Sequence, residues 1–173
     1  KGTGRGIADV LRKAKGKGWE RKSGGRWRAV NERDEIGMDL VPEYMTSVKD
    51  GGFYGWPFSY YGQHVDTRVK EQRPDLVAKA LVPDFALGAH TACLGLTFYE
   101  ATLLPAHYAG GVFLRQHGSR DRKPHSGYTV IFVPFTNGQT SEIAYAVQTG
   151  FVEAPANDYR RPLRVIVVLT RAL

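Results

Sequence analysis

Cysteine is almost absent. Cys93 stands alone in 173 residues, which excludes an intrachain disulfide and any zinc site built on cysteine. It lies in the apolar run HTACLGLTFY (90–99), where a single thiol reads as an inert core side chain. Long apolar runs are missing too: none approaches the roughly 20 residues that a membrane-spanning helix needs. Helical periodicity is scarce. Ile7, Val10 and Leu11 give weak helical spacing before Gly16 and Gly18 break it. No repeat of fixed period is strong enough to count structural units. Acidic groups are in deficit, 17 against 24 Lys and Arg, for a formal net charge of +7. The chain opens on Lys1 with no signal-peptide pattern, so it is expected to be a processed chain or a portion of a longer one.

What is abundant is glycine, proline and aromatic side chains: 20 Gly, 9 Pro and 12% Phe, Trp and Tyr favour many short strands and turns. Apolar β-rich runs recur at GRWRAVNE (25–32), CLGLTFYE (93–100), GGVFLRQHG (110–118), YTVIFVPF (128–135), IAYAVQTGFV (143–152) and LRVIVVLT (163–170). Turn-forming segments such as RKPHSG and TNGQ separate them. This spacing predicts an all-β sandwich, barrel or propeller. PDLVAKALVPDFALG (74–88), bounded by prolines, is expected to be extended, and GFYGWPFSYY (52–61) to be a strand with Pro57 at its edge or end.

The positive charge is not spread evenly. Residues 1–28 hold ten Lys or Arg against Asp9 and Glu20, while the remaining residues are close to neutral. The basic character therefore belongs to an arm, set at 1–25 and expected to pack poorly over residues 1–20, with the β-rich domain over 26–173. Such an arm can bind phosphate backbones, but a solvated end is the expected reading, and nucleic acid is not the expected partner.

Three clusters carry candidate chemistry. Residues 50–66, DGGFYGWPFSYYGQHVD, crowd Phe53, Tyr54, Trp56, Phe58, Tyr60 and Tyr61 together, as a core strand, a stacking platform or a sugar-binding face would. NERDEIGMD (31–39) supplies Glu32, Asp34, Glu35 and Asp39, hard oxygen donors suited to calcium or simply a solvated acidic turn. RQHGSRDRK (115–123) gathers Arg115, Arg120, Arg122 and Lys123 around Gln116, His117 and Ser119, a composition suited to binding carboxylates.

Residues 30–66 (VNERDEIGMDLVPEYMTSVKDGGFYGWPFSYYGQHVD), 72–99 (QRPDLVAKALVPDFALGAHTACLGLTFY) and 110–135 (GGVFLRQHGSRDRKPHSGYTVIFVPF) resemble the bacterial sorbosone dehydrogenases, which belong with the soluble glucose and aldose sugar dehydrogenases that use pyrroloquinoline quinone (PQQ). The resemblance is close from about 26 to 152 and weaker at both ends. It implies part of a six-bladed β-propeller, about three blades of four-stranded antiparallel sheet from its C-terminal portion. It also implies calcium- and PQQ-dependent oxidation of a sugar or sugar aldehyde, an external electron acceptor, and a periplasmic or secreted location. The catalytic histidine of that family lies on an earlier blade outside this chain, so the chain alone is expected to lack ordinary activity. Pairing with a missing half or self-association is expected. The alternative is a non-catalytic carbohydrate-binding or structural propeller module.

By the same resemblance, Arg12, His117, Ser119, Arg120, Arg122, Lys123 and Arg161 match cofactor-pocket positions, and none of the five histidines matches the catalytic one. Main-chain carbonyls of Arg33 and Asp34 match those that hold the cofactor's calcium, while Asp39 and the Tyr54 carbonyl match a second calcium site. Tyr60 and Tyr61 are read either as lining a substrate mouth or as structurally buried, and Trp56 and Pro57 are expected as core between blades. The sequence departs from the family where Lys13-Ala14 replace Asn-Pro and where Arg120-Asp121 replace Trp-Asn.

Overall fold

The computed structural model describes residues 8–9, 14–21, 23–119, 122–141, 143–153, 158–159 and 162. Eight strands form two four-stranded sheets. In the first, β1 (Ala14–Glu20), β2 (Gly25–Val30), β3 (Pro42–Ser47) and β4 (Phe85–Ala89) pair in chain order, each antiparallel to the next. In the second, β5 (Cys93–Phe98), β6 (Val112–Gln116), β7 (Thr129–Val133) and β8 (Tyr145–Gln148) do the same. Two successive antiparallel four-stranded meanders packed face to face are propeller blades, and the fold is all-β and part of a β-propeller. The third blade's expected strand at 163–170 lies outside the described residues, as do Arg12, Arg120 and Arg161.

The sheets meet through alternate positions of their strands, since successive side chains on a strand point to opposite faces. Trp27, Ala29, Met45 and Leu87 of the first sheet bury against Cys93, Leu96, Val112, Leu114, Ile131 and Val133 of the second. Phe135 closes one edge, its ring 4.9 Å from Trp27 and 5.1 Å from Phe98 in edge-on contact. The other face of the second sheet buries Tyr99, Phe113 and Phe132, with Tyr108 and Val130 against them. Burial on both faces explains why GGVFLRQ and YTVIFV read as continuous apolar runs rather than alternating ones. Cys93 is fully buried, and burial pushes its thiol well above the ordinary range.

Residues 14–20 correct one expectation: they are not part of a loosely packed arm. They form β1, paired with β2 from Ala14↔Val30 to Glu20↔Gly25. A Cβ on Gly16 would stand 3.0 Å from the Leu96 nitrogen and 3.1 Å from the Gly95 Cα, so this strand lies against the second sheet backbone to backbone. Residues 74–88 are also not wholly extended. Pro74–Val77 makes a single helical turn opened by proline, whose fixed φ suits a first helical position. The aromatic segment is not one strand. It splits into Gly52–Phe53 and Ser59–Tyr60, joined by a turn in which Phe58 and Ser59 both donate to the Gly55 carbonyl at 2.8 Å.

Candidate functional site

The loops β2–β3 (31–41), β4–β5 (90–92) and β6–β7 (117–128) emerge at the same end of the two sheets, because Val30 faces Tyr44, Pro42 faces Ala89, and Gln116 faces both Cys93 and Thr129. They are tied to one another. His117 and Gly118 donate their N–H groups to the carbonyls of Ala92 and Thr91, each at 2.9 Å. The Ser126 hydroxyl donates to Ala89 O at 2.8 Å, and the Arg122 guanidinium reaches the Asp39 carboxylate at 2.8 Å. Glu43, buried at the start of β3, accepts from Cys93 N at 2.8 Å and from the Thr91 hydroxyl at 3.1 Å, joining the blades beneath the loops. Burial raises the Glu43 pKa above the ordinary 4.5, against hydrogen bonds that lower it.

Strain concentrates at this end. Glu35, His90, Ala92 and Tyr128 adopt φ of 69°, 56°, 53° and 56°, a left-handed region that side chains avoid. Such residues persist where surrounding contacts over-determine them, and they gather at ligand sites. Glu35, Ile36, Gly37, Met38 and His90 line a cleft of about 470 Å³. The His90 ring is buried. Its Nε2 lies 2.8 Å from the Gly37 carbonyl and its Nδ1 3.4 Å from Asp34 Oδ1, so it pins the acidic loop from beneath. No sequence pattern marked His90, because its partners are more than fifty residues away.

The four acidic side chains of NERDEIGMD do not converge. Glu32 is buried, Asp34 turns to His90, Glu35 is exposed, and Asp39, 79% exposed, pairs with Arg122. Among the described residues no three His, Cys, Asp or Glu side chains come together as a metal would require. The Asp34 carbonyl accepts from Arg68 at 2.9 Å. The Arg33 guanidinium is buried against Asp66, donates to Pro57 O at 2.8 Å, and lies 4.4 Å from the Trp56 ring centroid. Asp39 also stands apart from Tyr54 in its bonding. The Tyr54 hydroxyl donates to Ser47 O at 2.7 Å and accepts from Lys49 N at 2.9 Å. The described donor set therefore does not fit calcium as the sequence suggested, since cationic side chains already occupy two of the groups assigned to it.

The expected cofactor residues are likewise engaged. Ser119, 2% exposed, accepts from Ser126 N at 3.0 Å, and its carbonyl accepts from the Tyr128 hydroxyl at 2.5 Å, so it clasps its own loop. Arg122 pairs with Asp39 and donates to Pro124 O at 3.0 Å. Lys123 is exposed and His117 half-buried beside them. These four residues do share the loop end, yet two of them are committed within the protein and do not fit a polycarboxylate quinone unaided.

In the aromatic segment, Tyr54 is core. Tyr61 meets Tyr44 edge-on, and Tyr60 stacks on His64 with centroids 5.6 Å apart. Trp56 and Pro57 are not core between blades. With Phe53, Phe58, Leu76 and Leu81 they line a separate, mostly apolar cavity of about 550 Å³, with Lys79 at its wall.

No protein-family profile matches the chain. An uncharacterized protein of Borreliella burgdorferi is 22% identical over 138 residues, covering 79% of this chain and 36% of that protein. Solved structures share the fold. A calcium structure of Trichoderma reesei Carbohydrate-Active Enzymes Family AA12 superposes with TM-score 0.68 at 22% identity, covering 83% of this chain and 44% of the other. The holo form of the pyranose dehydrogenase PQQ domain from Coprinopsis cinerea gives TM-score 0.58 at 19% identity, covering 88% and 47%. The soluble aldose sugar dehydrogenase of Escherichia coli, in its apo form, gives 0.56 at 16%, covering 82% and 36%. The chain spans less than half the length of each of these relatives. Its two blades thus have the propeller fold of the PQQ-dependent sugar dehydrogenases.

Proposed function

We propose that the chain is part of a PQQ-dependent dehydrogenase that oxidises a sugar or sugar aldehyde, a sorbosone or aldose dehydrogenase by class, with its loop end turned toward the cofactor. The observation that carries this reading is the convergence of the three loops, with four left-handed side-chain-bearing residues, at one end of a propeller fold shared with PQQ enzymes. In this reading Lys123 and His117 supply cationic or hydrogen-bonding contacts to an anionic ligand, and the Arg122–Asp39 pair braces the loop that carries them. His90 holds the acidic loop in place at the edge of that ligand's cleft. The rest of the propeller, including the base that takes the substrate proton, comes from the part of such enzymes that this chain does not span, and the whole protein works in the periplasm or outside the cell.

The test is equilibrium binding of PQQ to the purified chain, with and without calcium, read by quenching of tryptophan fluorescence, followed by dye reduction with aldoses and sorbosone. Saturable micromolar quenching that weakens in Lys123→Ala supports the reading; no quenching at any soluble PQQ concentration refutes it. The cavity beside Trp56 favours a second reading, a carbohydrate-binding module, because an apolar wall beside an aromatic ring suits the flat face of a sugar. Sugar-dependent chemical-shift changes at Phe53, Trp56 and Phe58 in the absence of quinone would distinguish it.

A further inference from the structure

Arg115 is the fourth residue of β6, with an irregularity in the pairing to β5 immediately after it. Its neighbours Val112 and Leu114 point into the core shared with the first sheet, while Phe113 points to the opposite face, so alternation sends Arg115 to that opposite face as well. The residue is 6% exposed. Its cross-strand partners are Gly95 on β5 and Val130 on β7, neither of which offers a charge or a side-chain acceptor.

The guanidinium Nε is enclosed and has no hydrogen-bond partner, and no ion pair among the described residues includes Arg115. Burial pushes its pKa down, and the one described group that acts electrostatically upon it is the Cys93 thiol, which burial keeps neutral. A cation buried without a counter-charge is among the costliest arrangements in a protein. Space for a partner exists beside it: a Cβ placed on Gly95 would meet nothing within 4 Å. A glycine and an arginine with no charged partner among the described residues therefore sit side by side on one sheet face, the glycine leaving open space next to the charged residue.

We propose that Arg115 and the notch over Gly95 form a carboxylate-binding site on the face of the second sheet turned away from the first. A guanidinium fork matches a carboxylate in two parallel hydrogen bonds. A carboxylate brings one full negative charge to a single buried cation, and its two oxygens match the planar fork edge to edge. The site is separate from the loop residues assigned above and is tested without quinone. Two sources share the chemistry: a small carboxylic acid in solution, or an acidic side chain of an adjoining blade.

Melting of the whole chain is followed in acetate and in citrate, with sodium chloride holding ionic strength constant. The wild type is expected to show a saturable rise in melting temperature. Arg115→Met is expected to melt higher than wild type without ligand and to show no rise, and Arg115→Lys to bind about tenfold more weakly because the fork is lost. Arg21→Gln, which removes an equal charge from an exposed pair, keeps the wild-type rise. Citrate binding at least about tenfold tighter than acetate points to a small polycarboxylate as the natural occupant. Equal affinities point to a single side-chain carboxylate. A rise of equal size in Arg115→Met or Arg115→Lys, or no rise in the wild type, overturns the proposal.

Discussion

Removing the carboxylate of Asp66 is expected to unlock the acidic loop from the aromatic segment. Asp66 is 2% exposed. It accepts from Arg33, and from Arg68 through Nε at 3.1 Å, NH2 at 3.0 Å and the main-chain nitrogen at 2.9 Å. Its main chain also donates to Phe58 O at 2.9 Å and accepts from Gln72 at 2.9 Å. Arg68 lies partly in water, but the Arg33 side chain is only 7% exposed. In Asp66→Ala the Arg33 charge therefore stays buried without its counter-ion, a loss of about 3–5 kcal/mol. For a chain of this size each kcal/mol shifts the melting temperature by about 2–4 °C, so the expected fall is roughly 6–20 °C. The exposed Asp39–Arg122 pair is the comparison: Asp39→Ala should cost about 0–1 kcal/mol. Urea denaturation followed by far-ultraviolet circular dichroism measures both, and adding Arg33→Met to Asp66→Ala should recover part of the loss by removing the stranded charge. If Asp66→Ala loses no more than Asp39→Ala, the buried cluster does not hold the loop.

Three further outcomes are expected. Because burial raises the folded-state pKa of Glu43 above 4.5, folding favours its protonated form; stability contributed there is fully present below that value and is lost as pH rises through the folded pKa. Glu43→Gln should flatten that part of the stability profile in denaturation at stepped pH, and an unchanged profile would remove Glu43 as its source. The Cys93 thiol should resist a disulfide reagent in the native state and react fully once denatured, since it is buried with a raised pKa; prompt native reaction would mean the seam between the sheets opens. Gly118→Ala, at φ 102° with its new Cβ driven into the Tyr128 ring, should cost about 1–3 kcal/mol and loosen the 117–128 loop, visible as faster amide exchange at Ser119 and Ser126.

The fold class was legible because every described strand of the second sheet carries an apolar run, and the turn-formers between them fall where the chain reverses. Asn137-Gly138, both at positive φ, close the hairpin that pairs Phe135–Thr136 with Gln139–Thr140. β1 was not legible. AKGKGWE has almost no apolar side chain, and its glycines read as breakers because the surface that they approach lies some eighty residues away. The acidic loop was visible as composition but misleading as geometry. Which carboxylate faces which cation depends on Arg68, His90 and Arg122, none of them in the loop. The resemblance pointed to residues that share the loop end, and the partners of Ser119 and Arg122 show side chains already engaged within it.

The glycine seam between β1 and the second sheet bears on ring geometry. Blades of a propeller stand around an axis, and the angles between neighbours must together make one full turn. At Gly16 and Gly18 that angle is set where backbone meets backbone and the Leu96 and Phe98 side chains, with no compliant layer between. A methyl group at either position would act as a wedge, and the excess angle would have to be taken up by every other seam or appear as a gap where the ring should close. Those two residues thus serve as the gauge of the angle from one blade to the next.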